Sequence, residues 1–158
     1  VAQDLSEFER WFATILTGLE PDKRKAAVTK LGQAIRRANM QRIAQNVDPQ
    51  GRPMEARKPR LDGRGKLRRQ TGKMFKGLRK LRNWKIVTDA DGVEIRPASS
   101  AVDRVAAVSQ FGEVDVVGRL RSGREIRYRY PVRTILGVGA EDERLAMEIA
   151  ESLIRPGD

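Results

Sequence analysis

The 158-residue chain contains no cysteine and no histidine. Without cysteine there is no disulfide, no thiol nucleophile and no structural zinc site of the usual kind. Without histidine, a Ser-His-Asp triad, an imidazole general base and a His-ligated metal are excluded. Ser6, Ser99, Ser100, Ser109, Ser122 and Ser152 have no imidazole to activate them, and none is followed by Lys three residues on. Aromatic residues make up only 5% of the chain, so an aliphatic core is expected. No apolar run approaches the roughly 18 residues of a membrane-spanning helix. Asp4, Glu7 and Glu9 interrupt the apolar centre that a signal peptide needs, and synthesis in the cytoplasm is expected. Little familiar hydrolytic chemistry survives these absences. No catalytic residue, no cofactor and no metal site is expected.

What the chain does have is charge of one sign in one place. From Arg52 to Lys85 there are 14 Lys and Arg against two acids, Glu55 and Asp62, a local charge of +12; the remainder sums to −1. A charge that is one-sided over one stretch and balanced elsewhere is a local device. Gly51, Pro53, Pro59, Gly63 and Gly65 oppose regular structure, which predicts an extended, mobile basic loop over 51–71 within a single domain of residues 1–158. Beyond Gly72, the apolar residues Met74, Phe75, Leu78 and Leu81 fall at near-helical spacing among Lys73, Lys76, Arg79, Lys80 and Arg82. That spacing predicts a short amphipathic helix with a basic face. Such a basic arm binds nucleic acid, docks on an acidic protein surface, or is simply solvated. Only Phe75 and Trp84 interleave as stacking groups, which is thin for a single-strand binder. Leu31 to Ala44 has some of the composition of a DNA-reading helix, yet no short Gly-containing turn joins it to a second one.

The flanking segments read as a folded α+β protein. Leu5, Phe8, Trp11, Phe12, Ile15, Leu16 and Leu19 repeat at three and four residues, predicting a helix from about Asp4 to Gly18. Pro21 suits the first turn of a second helix, whose stripe of Ala27, Val28, Leu31, Ala34, Ile35, Ala38 and Ile43 runs to about Asn46. The two form an N-terminal helical hairpin that ends at Asp48-Pro49-Gln50-Gly51. After the arm, Trp84–Thr88 and Val93–Arg96 flank Asp91-Gly92, the preferred two-residue hairpin turn. Ala101 to Gln110 reads as a helix closed by Phe111-Gly112. In a second hairpin turning at Ser122-Gly123, Ile126, Tyr128 and Tyr130 alternate with Glu125, Arg127 and Arg129, the pattern of a half-buried strand limited by Pro131. A last helix, from about Ala140 to Ile154, carries Glu141, Asp142 and Glu143 in its first turn, where acids suit the dipole. Antiparallel hairpins packed with helices define the α+β class. Gly137-Val138-Gly139 before that helix suggests a phosphate cradle, but the P-loop spacing and Lys are missing and the three acids would repel an anion. Asp89 and Asp91 lack the remaining ligands of a calcium loop and fit a hairpin turn instead.

Several stretches, taken in order, resemble the phage virion morphogenesis family, which includes the tail completion proteins of P2-like contractile-tailed phages. They are Arg42-Ile43 with Gln45, Asp48-Pro49-Gln50-Gly51 with Pro53, Lys73-Met74-Phe75 with Leu78-Arg79, Val108 with Gln110-Phe111-Gly112, and Arg129-Tyr130-Pro131-Val132-Arg133 leading to Leu136-Gly137. Two positions depart from the family's habit: Ser109 stands where a His is frequent, and Met54 where an aromatic is frequent. A role that depends on that His cannot operate here, which favours architecture over catalysis. The resemblance implies a structural assembly protein and not an enzyme. Its copies would form a homo-oligomeric ring, a hexamer, at the head-proximal end of the tail tube or in the neck, the two places remaining open. The partners implied are the tail tube protein and head-tail connector or neck proteins, with DNA passing through the ring without sequence-specific binding. Arg52, Arg57, Lys58, Arg60, Arg64, Lys66, Arg68, Arg69, Lys73, Lys76 and Arg79 are the candidates for the contact with neighbouring subunits or partners. Arg42, Gly51, Pro53, Phe75, Gln110, Phe111, Gly112, Tyr130, Pro131, Arg133 and Gly137 are the motif positions expected to serve the fold. A protein that binds nucleic acid through the arm is the alternative.

Overall fold

The computed structural model describes residues 10, 13–58, 66, 74–89 and 92–154, without the side chains of 153 and 154. The expected first helix falls partly outside these residues, and its described part, 13–17, is helical. Helix α1 (Pro21–Gln45) is the spine, 25 residues and therefore about 37 Å long. Proline at its first turn lacks only an N–H that has no helical partner there, and Asn46 ends it in the left-handed conformation, φ 58°, donating its N–H to the Arg42 and Ile43 carbonyls. Its two halves serve different clusters. Ala27, Val28 and Leu31 pack with Leu16 and with Ala146, Ile149 and Ala150 of helix α3 (Ala140–Ile154). Met40 and Ile43 pack with Met54, Met74, Leu78, Trp84, Ala106 and Ile135.

Strands β1 (Trp84–Thr88) and β2 (Val93–Pro97) form an antiparallel hairpin that lies on α1. Its pairs run from Trp84 with Pro97 to Thr88 with Val93, and the Asp89 N–H donates to the Gly92 carbonyl at 3.1 Å. Gly92 is therefore paired across the hairpin with Asp89, a shift from the Asp91-Gly92 turn predicted from sequence; residues 90 and 91 lie outside the described residues. Asp89 explains the shift, because its carboxylate accepts the Gly92 N–H at 2.8 Å and closes the turn itself. Val93 sits against Gly32 of α1, where a Cβ would come within 3.2 Å of the Val93 Cβ, so the glycine permits the close approach of helix and hairpin.

Helix α2 (Ser100–Phe111) begins at Ser99, whose hydroxyl accepts the Val102 N–H, and ends at Gly112 with φ 67°. The second hairpin, β3 (Val114–Arg119) and β4 (Glu125–Arg129), carries a bulge between Val116 and Gly118. It pairs almost wholly with itself and touches the other elements only marginally. The half-buried strand expected from its alternation is accordingly not observed at Ile126, which is exposed. Tyr128 and Tyr130 are half-buried as the alternation predicts, so the pattern holds toward the base of the hairpin and fails toward its tip.

Residues 74–79 form successive turns rather than the amphipathic helix expected from Met74, Phe75 and Leu78. Phe75 takes φ 58°, a left-handed conformation that ends helical propagation. Asn83 Nδ2 donates to the Gly77 carbonyl at 2.8 Å and the Trp84 indole N–H to the Leu78 carbonyl at 2.6 Å. Met74 and Leu78 are nevertheless buried. A short 3-10 turn (Leu81–Asn83) then leads into β1.

Candidate functional site

Between β4 and α3 the chain crosses the molecule as an irregular strap, residues 130–139, with Ile135 buried in the core. Buried backbone without a ladder needs other hydrogen-bond partners. Side chains and carbonyls of the surrounding elements supply them. Tyr130 N donates to the Glu113 carbonyl at 3.0 Å and Arg133 N to the Ser109 carbonyl at 2.7 Å. Gln110 Oε1 accepts the N–H groups of Ile135 (2.6 Å) and Leu136 (3.0 Å), while its Nε2 donates to the Leu136 carbonyl at 3.2 Å. Asn39, on the buried face of α1, clasps Gly137 in the same way: Oδ1 accepts its N–H and Nδ2 donates to its carbonyl, both at 3.1 Å.

The strap ends at a buried ion pair. Arg42 Nη2 donates to both carboxylate oxygens of Asp142, at 2.8 and 2.6 Å, and Nη1 donates to the Pro49 carbonyl at 3.3 Å. Asp142 also accepts the Gly139 N–H at 2.8 Å, so the α3 N-terminus is capped by its own carboxylate. That disposes of the phosphate cradle: the position an anion would take is occupied by a charge of the same sign. Gly137 and Gly139 have another reason to be glycine. A Cβ on Gly137 would lie 2.6 Å from Pro49 Cγ, and one on Gly139 would overlap the Pro49 carbonyl. The Asp48-Pro49-Gln50-Gly51 turn thus presses directly on the strap.

The root of the basic loop is tied down. Arg52 Nε donates to Asp48 at 2.8 Å, Val47 and Pro53 form an isolated bridge, and Met54 N donates to the Asn46 carbonyl at 2.8 Å. Gly51 turns the chain there with φ 78°. Partial burial pushes the Asp48 carboxyl upward, but hydrogen bonds from the Arg52 backbone and side chain, with that cation's charge and the Gln50 N–H, hold it below the usual carboxylate range. Arg133, itself buried, reaches out to the Glu55 carbonyl at 2.7 Å and the Ala56 carbonyl at 3.2 Å. Strap and loop root are therefore one construction.

Of the contact candidates, Arg52, Arg57, Lys58, Lys66 and Lys76 are exposed and Arg79 half-buried, with the Lys58 ammonium 5.2 Å from the Tyr128 ring centre. Arg60, Arg64, Arg68, Arg69 and Lys73 lie outside the described residues, as does most of the loop over 59–71. The aromatic residues that would stack on bases are not available for it: Trp84 is buried, and Phe75 packs against the same cluster. Among the motif positions, Phe111 differs from expectation. It was expected to serve the fold, yet it is 68% exposed, because it is the last residue of α2 and points away from the face that Ala106 and Ser109 bury. Val132, 63% exposed, lies against Gly112, the residue after Phe111, and Val114 is exposed as well. Sequence reasoning missed Asn39 and the pairing of Arg42 with Asp142. The signal for Asn39 was present, a polar residue inside the buried stripe of α1.

The described residues form a small α+β scaffold whose motif residues fasten a strap. The chain belongs to the phage virion morphogenesis family, whose model matches residues 3–155. A phage structural or assembly role, associated with the virion, goes with that membership. Neither the curated proteins nor the solved structures contain a match to this chain. No helix among the described residues is long and apolar enough to cross a membrane.

Proposed function

We propose that this chain is a structural subunit of a ring, a hexamer, that closes the head-proximal end of a phage tail tube and enables the head to join it. The supporting observation is the exposure of the large apolar residues Phe111, Val114 and Val132, the last of them on the strap itself. Rigidly placed apolar groups in water mark a contact with another protein. The polar groups of Asn39, Arg42, Gln110 and Arg133 are engaged by backbone or by Asp142, which supports an architectural role without chemistry. The mechanism is differential binding. One face adds to the tube end and to neighbouring subunits, and the other does not template further tube. Head-tail connector proteins meet that second face, and the basic arm contacts subunits or an acidic rim.

Particles assembled without this chain test the reading by electron microscopy. Tails of uncontrolled length, unattached to heads, are the expected result. Normal tails beside filled, tailless heads would move the ring to the neck, as a head-completion protein. A nucleic-acid role is separable by salt, since phosphate binding through six to ten cations weakens by roughly 10³ to 10⁵ between 50 and 200 mM salt. Retention of short duplex DNA at physiological salt would favour that role over the ring.

A further inference from the structure

We infer that neighbouring copies meet through the tip of the β3–β4 hairpin, which docks on the outer face of α3 in the next copy; this rests on the ring reading above. The hairpin projects from the molecule, its base held by the Tyr130–Glu113 backbone bond and by Arg104, which bonds Asp115. Its end, residues 119–124, is exposed throughout and places Leu120 among Arg119, Arg121 and Arg124. Leu120 itself is 42% exposed. Glu125 answers part of this charge, bonding Arg119 at 3.2 Å and Arg127 at 3.1 Å. Arg121 and Arg124 sit beyond it, so the tip presents an aliphatic side chain inside a cationic rim.

The complementary surface is on the same chain. On α3, Ala146, Ile149 and Ala150 face the core, and Met147 points outward, 47% exposed. Glu143 and Glu151 stand one turn before and one turn after it on the same face. Arg144, three residues before Met147, is the single cation of α3, and Glu148 lies toward the groove that Lys30 and Arg37 line. An apolar side chain inside an anionic rim is the inverse of the tip. Methionine suits such a contact because its unbranched side chain adapts to the shape presented. The groove on the other flank of α3, about 260 Å³ in volume, is a poorer receptor, since Lys30 and Arg37 line it together with Glu148 and would repel the tip.

The contact is heterologous, because two different surfaces of one chain meet. Repeated from copy to copy it propagates, and it closes into a ring when the rotation permits. It also places opposite charges together in a chain whose net charge of +11 otherwise opposes self-association.

The absence of cysteine makes the test direct. Full-length chains carrying L120C or M147C are concentrated, mixed and mildly oxidised, with an affinity tag on one of them. A disulfide requires Cα atoms within about 7 Å, so a tagged–untagged heterodimer is expected from the mixture, with each variant alone remaining mostly monomeric. A chain carrying both changes should give a ladder of cross-linked species that thiol collapses. In a second arm, R121E/R124E should abolish self-association in sedimentation runs, and E143R/E151R in the mixed partner should restore it. If L120C pairs with itself as readily as with M147C, the contact is not this one. If wild type sediments as an oligomer while the mixture stays uncross-linked and the charge reversals change nothing, the inference falls and the ring stands. A wild type that stays monomeric at every concentration, and on added tail tubes, overturns both.

Discussion

Asp142 is a carboxylate whose side chain has no solvent exposure, and its charge is tolerable there only because Arg42 meets both oxygens and Gly139 donates a third hydrogen bond. Removing one partner of such a pair leaves the other buried and uncompensated, at a cost of about 3–5 kcal/mol. Arg42→Ala is expected to lower stability by that amount in chemical denaturation. Arg42→Met combined with Asp142→Leu should recover part of it, with the Gly139 N–H and the Pro49 carbonyl left without these partners, at about 1–3 kcal/mol each. Should the double variant be worse than Arg42→Ala, the pair itself stabilises the fold beyond its mutual neutralisation. Gly32 sets two effects against each other. Alanine is better than glycine in a helix by about 1 kcal/mol. Here its methyl would enter the space of Val93, where the Cβ-to-Cβ separation is 3.2 Å, and overpacking of this kind costs about 1–3 kcal/mol. The branched valine has little freedom to yield. Gly32→Ala should therefore destabilise on balance, and the pair Gly32→Ala/Val93→Ala should lose less than Val93→Ala alone.

At the scale of elements, the two hairpins differ in what holds them. The first rests on α1, whereas the second depends on anchors at its base, among them the Tyr130–Glu113 backbone bond and the ion pair of Arg104 with Asp115. The hydrogen bond from Arg104, against some opposing desolvation, holds the Asp115 carboxyl below its usual range, and the same contact raises Arg104. A depressed folded pKa means that the anchoring is fully present above the unfolded value of about 3.9 and is lost as pH falls through the folded one. Amide exchange in β3, corrected for its intrinsic pH dependence, should accelerate relative to β1 as pH drops below about 4, and Asp115→Asn should abolish that difference. Equal behaviour of the two hairpins would show that the anchor is immaterial. This contrast explains what was legible in the sequence. Both hairpins, α1, α2 and α3 announce themselves through periodicity, Pro21 and Gly112, all of which act locally. The exposure of Ile126 does not, because strict alternation looks the same whether or not a core lies beneath it. The turn at Phe75 was hidden for the same reason: apolar spacing over 74–78 fits a helix, and only the positive φ of one residue decides otherwise. The strap has no period at all. Gln110, Arg133 and Gly137 were visible as motif positions, but the carbonyls and N–H groups they hold are set by tertiary structure, and Phe111 gave no sign that it points outward.

For the whole molecule, the ring proposed above makes the placement of the basic arm the decisive quantity. In a tail or neck, DNA must slide through the centre. A lumen lined by the 14 cations of every arm would hold phosphates through many contacts at once, each adding to a salt-dependent affinity. Such a lining would retain the cargo it must release. Turned instead toward a neighbouring subunit or an acidic rim, each Arg can form bidentate pairs with carboxylates, where its planar fork is most effective. Arg133 holds Glu55 and Ala56 against the strap, so the loop leaves the molecule from a fixed root. Arg57 and Lys76 are both exposed, so reversing them to Glu should change the stability of the isolated chain by no more than about 0.5 kcal/mol. The same variant is expected to abolish head-tail joining, scored as free heads and free tails in lysates complemented with it. If joining proceeds normally while DNA packaging or ejection slows, the arm faces the channel and its placement against protein is wrong.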